Sequence, residues 1–269
     1  MIPTLDRPDS LPRVIDALAG QSFDPARMEL VIVEDAKNET GIDLPALPFD
    51  ARVLRAEQPG ASHARNVGWR AAAHPLVLFL GDDIIPVSQL VAHHVAIHER
   101  HPGADVGALG HVRWARELRR DAFMAWLDHG IQFSYPTIRD GEAGPGHFYS
   151  SNVSVKRSIL EEVGGFDAER FPFLYEDIDL GARLFARGFR LLYDGNAIGE
   201  HLHRPDLERW KARMVVQARA EREWARLHPD QTPYFHSRFA AAVEAPPSRG
   251  RMRWLLRKYS SPVLWSRKM

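Results

Sequence analysis

The chain has 269 residues, 45% hydrophobic and 26% charged, with 35 basic residues against 35 acidic ones and no cysteine. That composition describes a globular protein of one large or two small domains with a sizeable core. A formal net charge of zero excludes bulk attraction to nucleic acid, and the lack of cysteine excludes disulfides and thiolate metal sites.

No apolar run reaches the roughly 18 residues that mark a membrane span, and no charged-then-apolar leader opens the chain. The expected location is the cytoplasm. Met1-Ile2-Pro3-Thr4 reads as the end of a strand: either the first strand is very short, or its earlier residues lie upstream of this start.

Leu11, Val14, Ile15 and Leu18 recur at helical spacing and predict an amphipathic helix over residues 11–20. Leu30-Val31-Ile32-Val33 is a short apolar run closing on Glu34-Asp35, and reads as a buried parallel strand. Residues 52–54 read as another strand, and residues 62–73 as a helix begun by a Ser62 cap and broken by Pro75. Leu76-Val77-Leu78-Phe79-Leu80 is the next strand and closes on Gly81-Asp82-Asp83. This alternation is the signature of a parallel α/β sheet. Ligands of such sheets bind beyond the carboxyl ends of the strands, where Thr4, Asp35 and Asp82-Asp83 fall. Two aspartates there suit a hard divalent cation, which prefers carboxylate oxygens. Their plainer reading is a helix cap ahead of Pro86.

Residues 88–101 read as a helix carrying four histidines. His94 and His98 look like half a zinc site, but no H-E-x-x-H pattern and no cysteine completes it, so they read as a solvated helix face. Residues 154–163 read as a helix stopped by Gly164-Gly165, residues 176–187 as another ended by Gly188, and residues 189–193 as a strand. A charged helix is predicted over residues 206–227. The last residues, 249–268, interleave arginines with Trp254, Leu255, Leu256 and Trp265. That tail fits peripheral contact with an anionic membrane or a homodimer contact.

Taken in order, these motifs resemble a family 2 glycosyltransferase, an inverting group with an A-type, Rossmann-like α/β fold, whose mixed, mainly parallel sheet is flanked by helices. Ile2-Pro3-Thr4-Leu5-Asp6-Arg7 is similar to the family's I-P-T-x-x-R opening, and Val31-Ile32-Val33-Glu34-Asp35 to its base-contacting strand end. Gly60 to Gly68 carries the G-x-x-x-A-R-N pattern, and Gly81-Asp82-Asp83 stands where D-x-D is usual. Gly164-Gly165-Phe166-Asp167, then Glu176-Asp177, then His201 and His203 follow. The resemblance covers roughly residues 2–204 and departs from the pattern at Leu5, where an aromatic is usual, and at Gly81, where an acid is usual.

The resemblance implies a nucleotide-diphosphate sugar donor held by Pro3, Thr4, Asp6, Asp35, Arg65 and Asp82. Asp82 faces the ribose or stands in for the acid missing at Gly81. Asp83 holds a divalent cation, Mn²⁺ or Mg²⁺, with His201 or His203 as a further ligand, and a histidine ligand favours Mn²⁺. Asp177 is the general base for an acceptor hydroxyl. The carbohydrate or lipid-linked acceptor lies against residues 111–152, with Trp114, Asn152 and Glu176 as candidate contacts. Residues 1–110 are then the donor half, 111–204 the acceptor and catalytic half, and 205–269 a helical, basic extension. Two rival readings are a sugar-1-phosphate nucleotidyltransferase and a non-catalytic nucleotide-sugar binder or scaffold. The first needs a glycine-rich loop where this chain has Leu5-Asp6-Arg7-Pro8, and the intact Asp83, Asp177 and His201 set argues against the second.

Overall fold

A computed structural model describes residues 1–39, 41–128, 133–233 and 235. The expected α/β fold is present. In chain order the elements are β1 (Ile2–Thr4), α1 (Leu11–Ala19), β2 (Glu29–Glu34), β3 (Asp50–Arg55), α2 (Ala61–Ala71), β4 (Leu76–Leu80), β5 (Ile84–Pro86) and α3 (Leu90–Arg100). There follow β6 (Val106–Trp114), α4 (Ala122–Leu127), β7 (Glu142–Ala143), β8 (Asn152–Lys156), α5 (Arg157–Val163), α6 (Glu176–Phe185), β9 (Arg190–His201) and α7 (Leu207–Leu227).

Two compact units emerge: residues 1–118 with 134–203, and residues 119–133 with 204–269. In the first, β1, β2 and β3 pair in parallel with β2 at the centre. Leu30, Val31, Ile32 and Val33 are all buried, as a strand covered on both faces requires. The second sheet runs β4-β8-β6-β9-β5, and only its β6–β9 pair is parallel. Parallel pairing thus holds β1–β3 together and recurs in the long β6–β9 ladder, with antiparallel strands around the latter. Met1 joins the sheets, its N donating to Leu78 O at 2.7 Å and its O accepting from Leu80 N at 3.2 Å.

Register decides what shares an edge. β1, β2 and β4 all end on the side where β8 begins, because Leu80 pairs with Asn152. β6 and β9 end there too, with Trp114 opposite His201, and Ile84 at the start of β5 pairs with His201. Thr4, Asp35, Asp82-Asp83, Ser150-Ser151, Trp114 and His201 thus line one edge of the β-surface.

Three local expectations change. Residues 154–156 are strand, not helix: Val153 and Val155 fill the main core on one face, so Asn152 and Ser154 point to the other. That second face receives α3, and His94 and His98 are buried against it, not solvated. Ser62 does not cap α2. Gly60 is the N-cap, at φ 128°, where a Cβ would lie 2.6 Å from Pro172 O.

Side chains of α2 clasp residues 166–176. Asn66 Nδ2 donates to Phe166 O at 2.8 Å, and Asn66 Oδ1 accepts from Phe166 N at 3.0 Å and from Trp69 Nε1 at 2.9 Å. Ser62 Oγ donates to Phe171 O, and Ser62 N donates to Pro172 O at 3.1 Å. Phe166, so held, meets Phe79 edge to face at 5.4 Å in the core.

In the second unit, Asp121 caps α4 and Asp206 caps α7 through Met124 N and Arg209 N. The rings of Phe123, Trp126 and Trp210 pack at 5.2–5.9 Å. The basic tail over residues 249–268 lies outside the described residues.

Replacing Asn66 by Ala leaves two buried donors, Phe166 N and Trp69 Nε1, without a partner, each costing about 1–3 kcal/mol, whereas Phe166 O still accepts from Ala168 N at 3.0 Å. Asn66→Ala is expected to lose roughly 2 kcal/mol or more in urea unfolding. A loss under about 1 kcal/mol would show that the clasp is not what holds this loop.

Candidate active site

The β4–β5 connection is a tight turn, with Ile84 N donating to Gly81 O at 3.2 Å. Asp82 and Asp83 project from this turn between two strands, which corrects the helix-cap reading. Asp83 Oδ2 lies 3.3 Å from His201 Nε2, and Asp82 Oδ1 lies 3.7 Å from Arg7 Nε. The two carboxylates differ in state. Burial and the neighbouring Asp83 charge push Asp82 up to about 6, against the pull of Arg7. Burial opposes ionisation of Asp83 too, but the His201 hydrogen bond and the charges of His201, Arg7 and His203 overcome it and hold Asp83 at about 2. Asp83 is thus the firmly anionic member.

His201 is stacked on Trp114, ring centres 5.3 Å apart and nearly parallel at 10°, and its Nδ1 is buried with no hydrogen bond. The His203 ring lies 5.9 Å from that of His201. Among the described residues no group of three or more His, Asp or Glu side chains forms a preformed metal cage. Asp83 and His201 do fit a cation as a two-sided partial set, one anionic oxygen and one imidazole nitrogen, with the remaining positions open to phosphate and water.

Asp177 arrives from the other side. Leu174 and Tyr175 both adopt left-handed backbone, φ 68° and 66°, which is strained for residues with side chains. This double turn launches α6 with Glu176 and Asp177 in its first turn. Asp177 Oδ2 accepts from Ser150 N at 2.9 Å, while Oδ1 is buried with no hydrogen bond. Burial and the adjacent Glu176 raise Asp177 to about 6, with Arg65 and Ser150 restraining the rise. A carboxylate of that basicity suits proton abstraction near neutral pH.

The turn before β8 bridges the two acidic groups: Ser151 O accepts from Gly81 N at 3.3 Å, and Ser150 N holds Asp177. The sequence reading missed Ser150 and Ser151, and it quoted Arg7 as part of the opening motif without giving it a role. The alternation Asn152-Val153-Ser154-Val155 was the available signal for a strand starting there.

Other expected contacts are engaged within the protein. Arg65 Nη1 pairs with Glu176 Oε1 at 2.8 Å, both side chains nearly buried, over the Phe166 ring. Arg65 and Glu176, expected at the donor and the acceptor, are thus paired with each other, and Arg65 Nε is buried with no hydrogen bond. Asn152 is fully buried and hydrogen-bonded to His94, Ala197 and His111, so it does not face an acceptor. Asp35 accepts from Lys37 N at 2.9 Å and from Gly60 N at 2.6 Å, tying β2 to the start of α2. Pro3 lies in β1 opposite Val33, Thr4 is buried at the end of β1, and Asp6 is exposed at φ 48° with its Oδ1 accepting from Glu39 N at 3.2 Å.

Residues 1–164 match the model of the family described as Glycosyl transferase family 2. The chain belongs to that family. Validoxylamine A glucosyltransferase of Streptomyces hygroscopicus subsp. limoneus is 27% identical over 224 residues, which cover 70% of this chain and 48% of the relative. Pre-mycofactocin glycosyltransferase of Mycobacterium tuberculosis is 28% identical over 240 residues, covering 86% of this chain and 48% of its own. The chain spans about half the length of these curated relatives. Among solved structures, the mannosyltransferase PcManGT of Pyrobaculum calidifontis with GDP-Man and Mn²⁺ superposes with a TM-score of 0.62 at 15% identity, covering 98% of this chain and 79% of that one. S. aureus TarS 1–349 with UDP gives 0.57 at 13%, covering 94% and 76%. These likenesses show that this family 2 member has the GT-A fold. Asp177 lies beyond the family match.

Between the ordinary 3.8 and about 6, folded Asp177 keeps a proton that the unfolded chain releases. Its burial therefore erodes stability as pH rises through that window, and the cost is full above it. Asp177→Asn is expected to melt higher than the native chain at pH 7.5, with the gap closing by pH 4. A gap independent of pH in melts across this range would remove Asp177 as the titrating group.

Proposed function

We propose that this chain transfers a sugar from a nucleotide-diphosphate donor to an acceptor hydroxyl, with inversion at the anomeric carbon. The observation that carries this reading is the pairing of two acidic stations on one edge. Asp83 with His201 faces Asp177 across the Tyr149-Ser150-Ser151-Asn152 turn, which is bonded to both stations. Asp83 and His201 would hold a divalent cation, Mn²⁺ or Mg²⁺, which when bound supplies Lewis-acid neutralisation of the leaving diphosphate. Asp82, held less ionised by burial and the Asp83 charge, faces the donor's ribose hydroxyls, with Thr4 and Asp35 further along the edge toward the base. Pro3 and Asp6 complete that side. His203 stands behind His201.

Asp177 Oδ1 accepts the proton of the acceptor hydroxyl as its oxygen attacks the anomeric carbon. The bond from that carbon to the diphosphate oxygen breaks, and the nucleoside diphosphate leaves with the electron pair. Trp114 keeps the His201 ring in plane. Arg65 stays on Glu176 and balances the charge beside the base, which is a role in positioning and not in phosphate binding. The acceptor is a carbohydrate or lipid-linked hydroxyl. Among the described residues no helix is long and apolar enough to cross a membrane.

A thermal-shift panel of UDP, GDP, dTDP and CDP, each with and without Mn²⁺, tests the donor site. A ligand at 100 times its dissociation constant adds about 2.7 kcal/mol to the folded state. One nucleotide is expected to raise the midpoint only with Mn²⁺, with the shift lost in Asp83→Ala and kept in Asp177→Asn. A shift that survives in Asp83→Ala, or no shift with any of the four, would overturn the assignment.

A further inference from the structure

A set of polar residues between α3 and β8 has no part in the chemistry above. His94 is 1% exposed, and Asn152 and Ser154 are 0% exposed. Polar groups are tolerated at such depth only when hydrogen-bonded. Here they form one directed chain. Asn152 Nδ2 donates to Ala197 O at 2.8 Å and His111 O at 3.3 Å, so the amide oxygen is what faces His94 Nε2 at 2.9 Å. His94 must carry its proton on Nε2, which leaves Nδ1 to accept from Ser154 Oγ at 2.9 Å. Ser154 Oγ in turn accepts from His98 Nε2 at 2.9 Å. His98 Nδ1 faces Lys156 Nζ, a donor only, at 3.4 Å. One set of hydrogens satisfies every member. Burial holds His94 at about 4, and burial with the Lys156 charge holds His98 at about 3, so both rings are neutral at pH 7 as the chain requires.

The two carbonyls at the end of the chain flank an irregularity in the sheet. β6 and β9 pair as Gly110 with Asp194 and then His111 with Ile198, leaving residues 195–197 as a bulge. Only after the bulge does Trp114 come opposite His201. Asn152 grips both lips, His111 O and Ala197 O. It also fills the space at Gly110, where a Cβ would collide with the Asn152 amide and lie 2.5 Å from Ala197 O. Register in a strand is a discrete choice, and a slip by one residue turns each later side chain to the opposite face. A slip here would turn His201 away from Asp83. Asn152 N also donates to Tyr149 O at 3.1 Å, closing the turn that holds Asp177.

We propose that His94 is a positioning residue: by fixing Asn152 it locks the β6–β9 bulge in the register that delivers His201 to Asp83. The consequence for metal and nucleotide rests on the function proposed above, whereas the positioning itself rests on the register alone.

Nitrogen-15 NMR of the histidine rings tests it. In the native chain at pH 7, His94 and His98 are both expected as neutral rings protonated on Nε2. His94→Gln, whose amide can donate to Asn152 and accept from Ser154, is expected to leave the His201 ring signals and the Mn²⁺-dependent thermal shift in place. His94→Leu, with a cooperative melt as the check on folding, is expected to move the His201 signals and lose that shift. A role in packing alone would lower the midpoint of both variants and leave the His201 signals unmoved. That result, or an Nδ1-protonated or charged ring at either histidine, overturns the proposal. Should His94→Leu fail to fold, the native tautomers and the Gln variant still decide. If the native chain shows no Mn²⁺-dependent shift, the proposed function fails, while the His201 signals continue to decide the positioning.

Discussion

Glu176 and Asp177 are adjacent carboxylates at the start of one helix, Glu176 buried and Asp177 partly so, with its Oδ1 buried. Like charges so placed repel, and a buried unpaired charge costs several kcal/mol, so a cation must stand close by. Arg65 is that cation, and its position is set by α2, more than a hundred residues earlier in the chain. The ion pair consequently dictates that α2 lie against the start of α6. Ser62 and Asn66 on the same helix bind the intervening loop, and the loop can then hold Leu174 and Tyr175 in left-handed backbone. The strain is tolerated because both ends are over-determined, and it aims Asp177 at the sheet edge.

This gives two of the family motifs an architectural meaning. The Ala64-Arg65-Asn66 and Gly164-Gly165-Phe166-Asp167 segments are two halves of one clasp: Asn66 binds both backbone groups of Phe166, and Arg65 reaches over the Phe166 ring to Glu176. Gly165, at φ 72°, lets that backbone approach Asn66 and Trp69 closely. Motif spacing in a sequence does not reveal whether residues meet a ligand or each other, and here they meet each other.

The opposite station follows the opposite logic. Asp82 and Asp83 share a turn without a tightly paired base, so the pair divides its charge: Asp83 beside His201 stays anionic, and Asp82 moves toward protonation. An arrangement that leaves negative charge and an imidazole poorly compensated inside the protein is suited to an incoming cation.

Periodicity and strand-end position were enough to read the first 80 residues, because β2 and β4 are buried runs and α1 is strongly one-sided. The order of motifs identified the family, and the roles given to Asp83, His201 and Asp177 come from that resemblance and belong to the proposed function. What failed was the reading of polar residues in apolar surroundings. His94 and His98 looked solvated, Asn152 looked like a ligand contact and Ser154 looked helical, yet all four meet in one buried network. Whether a polar side chain faces water, a substrate or another buried polar group depends on which distant segment lies against it. The sequence alone determined the elements and the chemical inventory; only the tertiary pairing of α3 with β8, of α2 with α6, and of β6 with β9 across its bulge decided which residues form the site and which hold it in place.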